Sequence, residues 1–333
     1  MTTTMNAIIT TAYGATNVLK YKVAEKPVHG VNEILIKIHA TSVTNAHTAM
    51  RTGYPLIGRL FMGLLKPKNR ISGTDFAGEI VAVGSNVKKF SVGEKVFGST
   101  DIEGGTYAEY VKVSQNGVIL TIPENLTYSQ ATAIIDGATT AFPFLVDHAQ
   151  IKKGNKILIN GASGSIGTAA VQLAKYFGAE VTGVCSTKNV DLVKAMGADY
   201  VIDYTKNDFT KAGKKYDIVF DTVGKSCFKD SKKALRDNGI YMSPVLGLRM
   251  TFDMISTLRS KGKKAIFAAT GLLKEEEKIK NFRVLRDLLS KGKLVSVIDR
   301  TYQLPQVAEA HRYVEKGHKK GNVVIKVTEE END

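Results

Sequence analysis

The sequence predicts an α/β fold in which a doubly wound parallel sheet is inserted into a β-rich domain made from both ends of the chain. Three observations carry this expectation. A glycine loop, Gly161-Ala162-Ser163-Gly164-Ser165-Ile166-Gly167, follows an apolar strand-like run and opens an amphipathic segment. Strand-like and helix-like segments alternate through 125–292, and such alternation calls for a parallel sheet covered on both faces. The flanking stretches, 1–124 and 293–333, are built instead from short apolar runs separated by turns.

In the first stretch, EILIKI (33–38), GEIVAV (78–83), the run from Glu94 to Phe97 and the run from Thr106 to Val113 read as strands. Gly84-Ser85-Asn86, Val92-Gly93 and Gly104-Gly105 supply the turns between them, a spacing that suits antiparallel pairing. In the central stretch the segment from Leu126 to Phe144 reads as helix, and KILI (156–159) as a strand. A helix follows over 165–177, with Ile166, Ala169, Ala170, Leu173 and Tyr176 along one face. Next come a strand at 181–184, a helix at 190–196 closed by Gly197, and strands at 200–202, 216–220 and 240–242. A helix is expected over 228–236, between the last two strands, and another over 305–313.

The chain has 333 residues, or about two domains at roughly 150 residues each. Its 43% hydrophobic and 23% charged residues exclude a long disordered chain. Two cysteines, Cys185 and Cys227, exclude a disulfide framework or a four-cysteine zinc module and fit a reducing, cytoplasmic setting. No basic start followed by a long apolar run marks a secretory signal. No stretch approaches the roughly 18 apolar residues of a membrane span. The formal charge of +14 favours an anionic ligand, an acidic surface or nucleic acid. The basic clusters at 211–215, 259–264 and 316–320 have few aromatics among them. Single-stranded nucleic-acid sites interleave stacking aromatics with cations, so nucleic-acid binding is not expected.

Glycines between a strand and a helix permit a tight turn and let backbone N–H groups approach a pyrophosphate. Here Ser163 replaces the second glycine of the usual pattern, but the strand before and the helix after supply the required context. NAD sites carry an acid about 20 residues further on, to bond the ribose hydroxyls. This chain instead has Ser186, Thr187 and Lys188, with no acid until Asp191. Two hydroxyls and an ammonium favour a 2′-phosphate, so the expected cofactor is NADPH.

The chain also resembles the medium-chain dehydrogenase/reductase superfamily, in its zinc-free quinone oxidoreductase branch. The matching segments are SVTN (42–45) with RTGYP (51–55), GTDFAGE (73–79) running into VGS (83–85), and VGEKVFG (92–98). GTYAEYV (105–111), the glycine loop, AMGADYVIDY (195–204), DTVG (221–224), AHRY (310–313) and GNVV (321–324) extend the match over nearly the whole length. The resemblance implies a GroES-like domain from 1–124 and 293–333, a Rossmann domain over 125–292, and a cofactor cleft at their junction.

Zinc-dependent members of that superfamily have Cys where Asn45 stands and His-Glu where Thr74-Asp75 stand, so no catalytic zinc is expected. His39 and His47 are near in sequence but lack a third partner for a metal, and His29, His148, His311 and His318 are scattered and read as surface or packing residues. The resemblance places Asn45 and Tyr54 as the catalytic polar groups lining the nicotinamide cleft, Tyr54 toward the substrate and Asn45 toward the substrate or the nicotinamide. It places Thr140 near the nicotinamide, Tyr204 beside the 2′-phosphate, and Val223 and Asn322 among the cofactor contacts. It implies hydride transfer to quinones or to the activated C=C of α,β-unsaturated carbonyls, and a homodimer formed near 265–270. The alternatives are an alcohol or aldehyde oxidoreductase, or an NADPH-binding regulatory or RNA-binding protein with weak catalysis. The apolar segment 50–70, with Ile57, Leu60, Phe61, Met62 and Leu65 among Arg59, Lys66, Lys68 and Arg70, reads as a substrate flap, as core packing or as a membrane contact.

Overall fold

The computed structural model describes residues 3–211, 213–260 and 262–328, apart from the side chains of Ile57 and Phe61. In chain order the strands are β1 (Thr4–Thr10), β2 (Leu19–Glu25), β3 (Glu33–Val43), β4 (Asp75–Val83), β5 (Lys95–Ser99), β6 (Tyr110–Ser114) and β7 (Val118–Thr121). They continue as β8 (Lys156–Asn160), β9 (Glu180–Cys185), β10 (Tyr200–Asp203), β11 (Tyr216–Asp221), β12 (Leu235–Ser243), β13 (Lys264–Phe267), β14 (Ile298–Gln303) and β15 (Asn322–Lys326). Two compact units form. One comprises Met1–Ile135, Lys274–Ser290 and Ser296–Asp333; the other comprises Asp136–Leu273 and Lys291–Val295.

The first unit is the β-rich one. Its main sheet runs β14-β15-β3-β4-β5-β7, with β6 paired to β3. The alternation in EILIKI drives this arrangement: Ile34, Ile36 and Ile38 turn inward and pack with Phe76, Ile80, Val96, Val111 and Ile119. Gly78 lies where a Cβ would collide with the Lys37 carbonyl, so the β3–β4 approach requires a glycine. β1 and β2 form an antiparallel pair, tied on by bridges Ala7↔Ala108 and Ile9↔Ile71. The helix Glu275–Ser290 buries Phe282, Leu285, Leu288 and Leu289. The Phe282 ring lies 4.7 Å from that of Phe97, and Arg286 Nε donates to the Thr121 carbonyl at 2.8 Å. This packing, which texture could not convey, groups 274–290 with the β-rich unit and not with the central stretch where the sequence reading had put them.

The second unit is a six-stranded parallel sheet ordered β10-β9-β8-β11-β12-β13, the doubly wound arrangement. Its central strands β8, β9 and β11 are almost wholly buried, as strands covered on both faces must be. Two helix expectations change in the structure. The segment 126–144 is broken into Tyr128–Ala133 and Ile135–Pro143, followed by a π turn at Phe144–His148; Pro143 lacks the N–H that a continuing helix needs. The helix expected over 228–236 stops at Ser231, because the chain at Ala234 and Leu235 pairs with Tyr216 instead. Among the described residues no helix is long and apolar enough to cross a membrane.

Candidate functional site

In a doubly wound sheet, ligands bind beyond the carboxyl ends of the strands where the strand order reverses. Here that point lies between β8 and β11, and the glycine loop leaves β8. Gly161 has φ +80°, and a Cβ on it would stand 2.6 Å from Val223 Cγ1 and 2.7 Å from Thr222 Oγ1. The loop after β8 and the loop after β11 therefore touch at Gly161 and Val223. Gly167 is the close-packing position, where a Cβ would run into the Gly161 carbonyl. The amides of Gly161 and Ala162 both donate to the Val184 carbonyl, at 3.1 and 3.0 Å. Ser163 is buried and its Oγ accepts from Asn189 Nδ2 at 2.9 Å, so the residue replacing the second glycine pins the loop to the turn after β9.

The helix Ser165–Tyr176 has Gly164 at its N-cap and no side chain capping it. Gly164 brings no side chain of its own to the amides of the first turn, the ordinary cradle for a pyrophosphate. A Cβ on Gly164 would meet nothing nearer than the Gly161 carbonyl at 3.5 Å, so this glycine leaves open space where the backbone faces outward. Gly137 packs so closely on the Ser165 backbone that a Cβ would stand 2.5 Å from the Ser165 carbonyl oxygen. Thr140, half-buried, lies in the same helix, Ile135–Pro143. These features fit a dinucleotide.

The loop after β11 has an anchor that the sequence did not reveal. Asp221, fully buried, accepts at Oδ1 from the Val223 and Gly224 amides, at 3.2 and 3.1 Å, and from Asn160 Nδ2 at 3.0 Å. At Oδ2 it accepts from the Ser226 amide at 2.8 Å and the Tyr241 hydroxyl at 3.1 Å. Five donors offset the cost of burying a carboxylate and hold 222–226 in one shape.

At the end of β9, Ser186 is half-buried and Thr187 and Lys188 are exposed. Tyr204, exposed, donates its amide to the Cys185 carbonyl at 3.0 Å, which brings it beside them. The Thr187 hydroxyl is committed to a neighbour: it donates to Asp203 Oδ2 at 2.5 Å and lies 3.1 Å from the Thr205 hydroxyl. The Thr187 bond in particular holds the Asp203 carboxyl below its ordinary range.

In the first unit, Asn45 opens the helix Asn45–Thr52 and is exposed, its carbonyl accepting from Thr48 Oγ1 at 2.8 Å. Tyr54 follows that helix, exposed, with a cis bond to Pro55. Beyond it a 3-10 turn Leu56–Gly58 leads into the short helix Arg59–Met62. Arg59 Nε braces the Gly53 carbonyl at 3.0 Å, and its guanidinium lies over the Tyr13 ring. Met62 is half-buried, while Leu56, Leu60, Leu64 and Leu65 are exposed. Asn322 is buried in β15, and its side-chain amide donates to the Val297 carbonyl at 3.1 Å. The same unit contains a buried polar chain that joins His47 and His311 through Tyr107 and ends at Asp75. Two scattered histidines thus belong to one network, a grouping that only tertiary structure could make.

Two family comparisons match the chain: the alcohol dehydrogenase GroES-like domain over residues 30–124 and the zinc-binding dehydrogenase family over residues 196–325. The NAD(P)H oxidoreductase RTN4IP1 of Mus musculus is 31% identical, over 98% of this chain and 90% of its own length. The structure of the quinone oxidoreductase from Coxiella burnetii superposes with a TM-score of 0.86 at 31% identity, covering 98% of this chain and all of that one. The chain belongs to the medium-chain dehydrogenase/reductase superfamily, in its quinone oxidoreductase-like branch. Another relative in this superfamily, the 2-methylene-furan-3-one reductase of Solanum lycopersicum, is 32% identical over 96% of this chain and 79% of its own length. As a medium-chain dehydrogenase/reductase the protein is an NAD(P)H oxidoreductase of quinone oxidoreductase type. Although one matched family is called zinc-binding, no three His, Cys, Asp or Glu side chains among the described residues are grouped to hold a metal ion.

Proposed function

We propose that this oxidoreductase uses NADPH to reduce quinones or the activated C=C of α,β-unsaturated carbonyls, without a metal. The observation that carries the reading is the end of β9, where Ser186 and Lys188 stand at the ribose position that would hold a carboxylate in an NAD enzyme. Asp203, an acid beside that strand end, accepts from the Thr187 and Thr205 hydroxyls and lies 3.8 Å from Lys206. An ammonium and a hydroxyl are thereby left to meet a 2′-phosphate by charge-assisted bonds, with Tyr204 alongside.

In this reading the backbone of Gly161, Ser163, Gly164, Ser165, Ile166 and Gly167 receives the pyrophosphate. Thr140 and Val223 flank the nicotinamide, and Asn322 contributes by holding the 297 segment. When bound, NADPH supplies a hydride; the chain's own residues orient the acceptor and stabilise the oxygen on which charge develops. Asn45, an amide donor, and Tyr54, a hydroxylated ring, serve the acceptor, and the exposed leucines of 56–65 suit a flat apolar molecule. The name of the tomato relative, a reductase of a methylene ketone, supports the enone half of this reading.

The same reading includes a homodimer through β13. That strand ends its sheet, and the neighbouring helix Leu248–Thr257 exposes Leu248, Phe252 and Ile255. A second copy would cover both the open ladder and the apolar face. Both cysteines are buried and free, in keeping with a reducing compartment such as the cytoplasm.

The deciding experiment follows nicotinamide absorbance with NADPH and NADH against quinones, enones, aldehydes and alcohols, with and without chelator. Turnover of quinones or enones with NADPH, insensitive to chelator, is the expected result. Tight NADPH binding with no turnover of any electrophile would overturn it in favour of a regulatory protein.

A further inference from the structure

The buried chain of the first unit has a direction that is fixed from Arg51 as far as His47. A guanidinium only donates, so Arg51 Nε–H must donate to His311 Nδ1, at 3.4 Å. His311 then carries its proton on Nε2 and donates to the Tyr107 hydroxyl at 3.2 Å. The Tyr107 proton goes on to His47 Nδ1 at 3.0 Å. The same Nδ1 accepts the Thr44 backbone N–H at 3.3 Å, an independent donor requiring the same tautomer. His47 thus carries its proton on Nε2 and donates to Thr74 Oγ1 at 2.8 Å. The Thr74 hydroxyl cannot return its proton to His47 and gives it to Asp75 Oδ1 at 3.1 Å. Ser42 Oγ donates to the other carboxylate oxygen at 2.7 Å.

Asp75 and His47 are buried, but Thr74 keeps part of its surface exposed. Its hydroxyl proton has two destinations: inward to an ionised Asp75, or outward when Asp75 is protonated and donates to Thr74 Oγ1. We propose that Thr74 and Asp75 form a two-position proton relay that protonates the α-carbon of an enone once hydride has been added to its β-carbon. The proposal rests on the reductase reading above and supplies its missing proton. After hydride addition the substrate is an enolate. Its C=C electron pair takes the Thr74 hydroxyl proton and forms the Cα–H bond. As that O–H bond breaks, the Thr74 oxygen takes the proton of Asp75, which is left as a carboxylate. With Asp75 ionised the chain is in that final state, and one proton from water resets it. His47 holds the Thr74 oxygen in place while unable to accept its proton, and so is a positioning residue.

The groups facing Asp75 are Ser42 on β3, Thr74, Tyr107, and Asp101 of the turn Asp101–Glu103. Asp101 is itself paired with Lys278 Nζ at 2.9 Å. Burial, more than the Asp101 charge, pushes the Asp75 carboxyl up to about 6, a range in which a carboxylic acid can serve as proton source near neutrality.

Carboxyl ¹³C NMR on the cofactor-free protein tests the first requirement. A carboxyl should titrate near pH 6, vanish in Asp75→Asn and move in Thr74→Val, while ¹⁵N shifts show His47 and His311 as neutral Nε2–H tautomers. In turnover, enone kcat should fall as pH rises through that value. Thr74→Val should lower enone kcat about a hundredfold relative to quinone kcat, because a reduced quinone takes its protons on oxygen directly from water. KM should change little, and Thr74→Ser should restore kcat. A carboxyl titrating in the ordinary range, or a Thr74→Val variant with the enone kcat and pH profile of the parent, overturns the relay. Failure of the parent protein to reduce any enone overturns the reductase reading beneath it as well.

Discussion

His311 and His47 share one phenol: the Tyr107 hydroxyl lies 3.2 Å from Nε2 of the first and 3.0 Å from Nδ1 of the second. Both imidazoles stand edge-on to the Tyr107 ring, so hydrogen bonds and ring packing set the same geometry. Burial drives the His311 imidazole down to about 3, helped by the nearby His47 and Arg51.

That shift gives the first prediction. A group with a folded pKa below its unfolded one stabilises the fold above the unfolded value, here about 6.5, and loses that contribution as pH falls through the folded one. Between pH 7 and pH 4 His311 alone should cost roughly 3 kcal/mol. Asp75 works the other way, since its raised pKa favours the fold at low pH and loses that contribution as pH rises through about 6. Denaturant titrations from pH 4 to 7 on His311→Gln should show lower stability at pH 7 and a flatter acid limb than the parent.

Lys188→Ala tests the cofactor assignment. Loss of a charge-assisted bond to a 2′-phosphate is worth roughly 1.5–3 kcal/mol, so the NADPH-to-NADH ratio of kcat/KM should drop by about ten- to a hundredfold. An unchanged ratio would show that Lys188 is an ordinary solvated lysine.

Two glycines of the loop separate folding from binding. Gly164→Ala places a methyl in open space, 3.5 Å from its nearest neighbour, and should change stability by less than about 1 kcal/mol. Its NADPH dissociation constant should nonetheless rise at least tenfold, because the backbone there approaches the pyrophosphate. Gly161→Ala combines φ +80° with a collision against Val223 and should lower Tm as well. Calorimetry and cofactor titration on both variants check the contrast.

Tyr54 is exposed, so neither Tyr54→Phe nor Tyr54→Ala should cost more than about 0.5 kcal/mol of stability. Tyr54→Ala should lower kcat/KM for enones and quinones about tenfold, the loss of a stacking and hydrogen-bonding group. Full activity of both variants on every accepted substrate would make the residue structural.

The dimer prediction concerns the free edge of β13. Phe252→Lys and Ile255→Lys each place a charge on the exposed face of the helix beside that edge. Sedimentation should show a dimer in the parent and monomers in both variants, with the circular dichroism of the fold preserved.

Much of the fold was legible because its causes are local. The alternation in EILIKI, the apolar run KILI and the glycines after it act within a few residues, so their strands and turn appear where the pattern puts them. The helix expected over 228–236 failed because strand pairing of Ala234 and Leu235 with Tyr216 overrides local propensity. The cofactor loop could be read for the same reason that β8 could, whereas the anchoring of its partner loop by Asp221 could not. An Asp at a strand end is uninformative until Asn160 and Tyr241 arrive from other strands to bond it.

By itself the sequence determined the doubly wound sheet, the phosphate-binding turn and the missing ribose carboxylate, since spacing and residue type express these directly. Tertiary structure alone decided that 274–290 packs with the β-rich unit, that the Thr187 hydroxyl is already taken by Asp203, and that His47, Tyr107, His311 and Asp75 form one directed chain. The physical reason is shared. The proton direction along that chain follows from Arg51 at one end, and from the Thr44 amide that meets it at His47. Donors and acceptors from widely separated segments acquire a polarity only when packing brings them within hydrogen-bond reach.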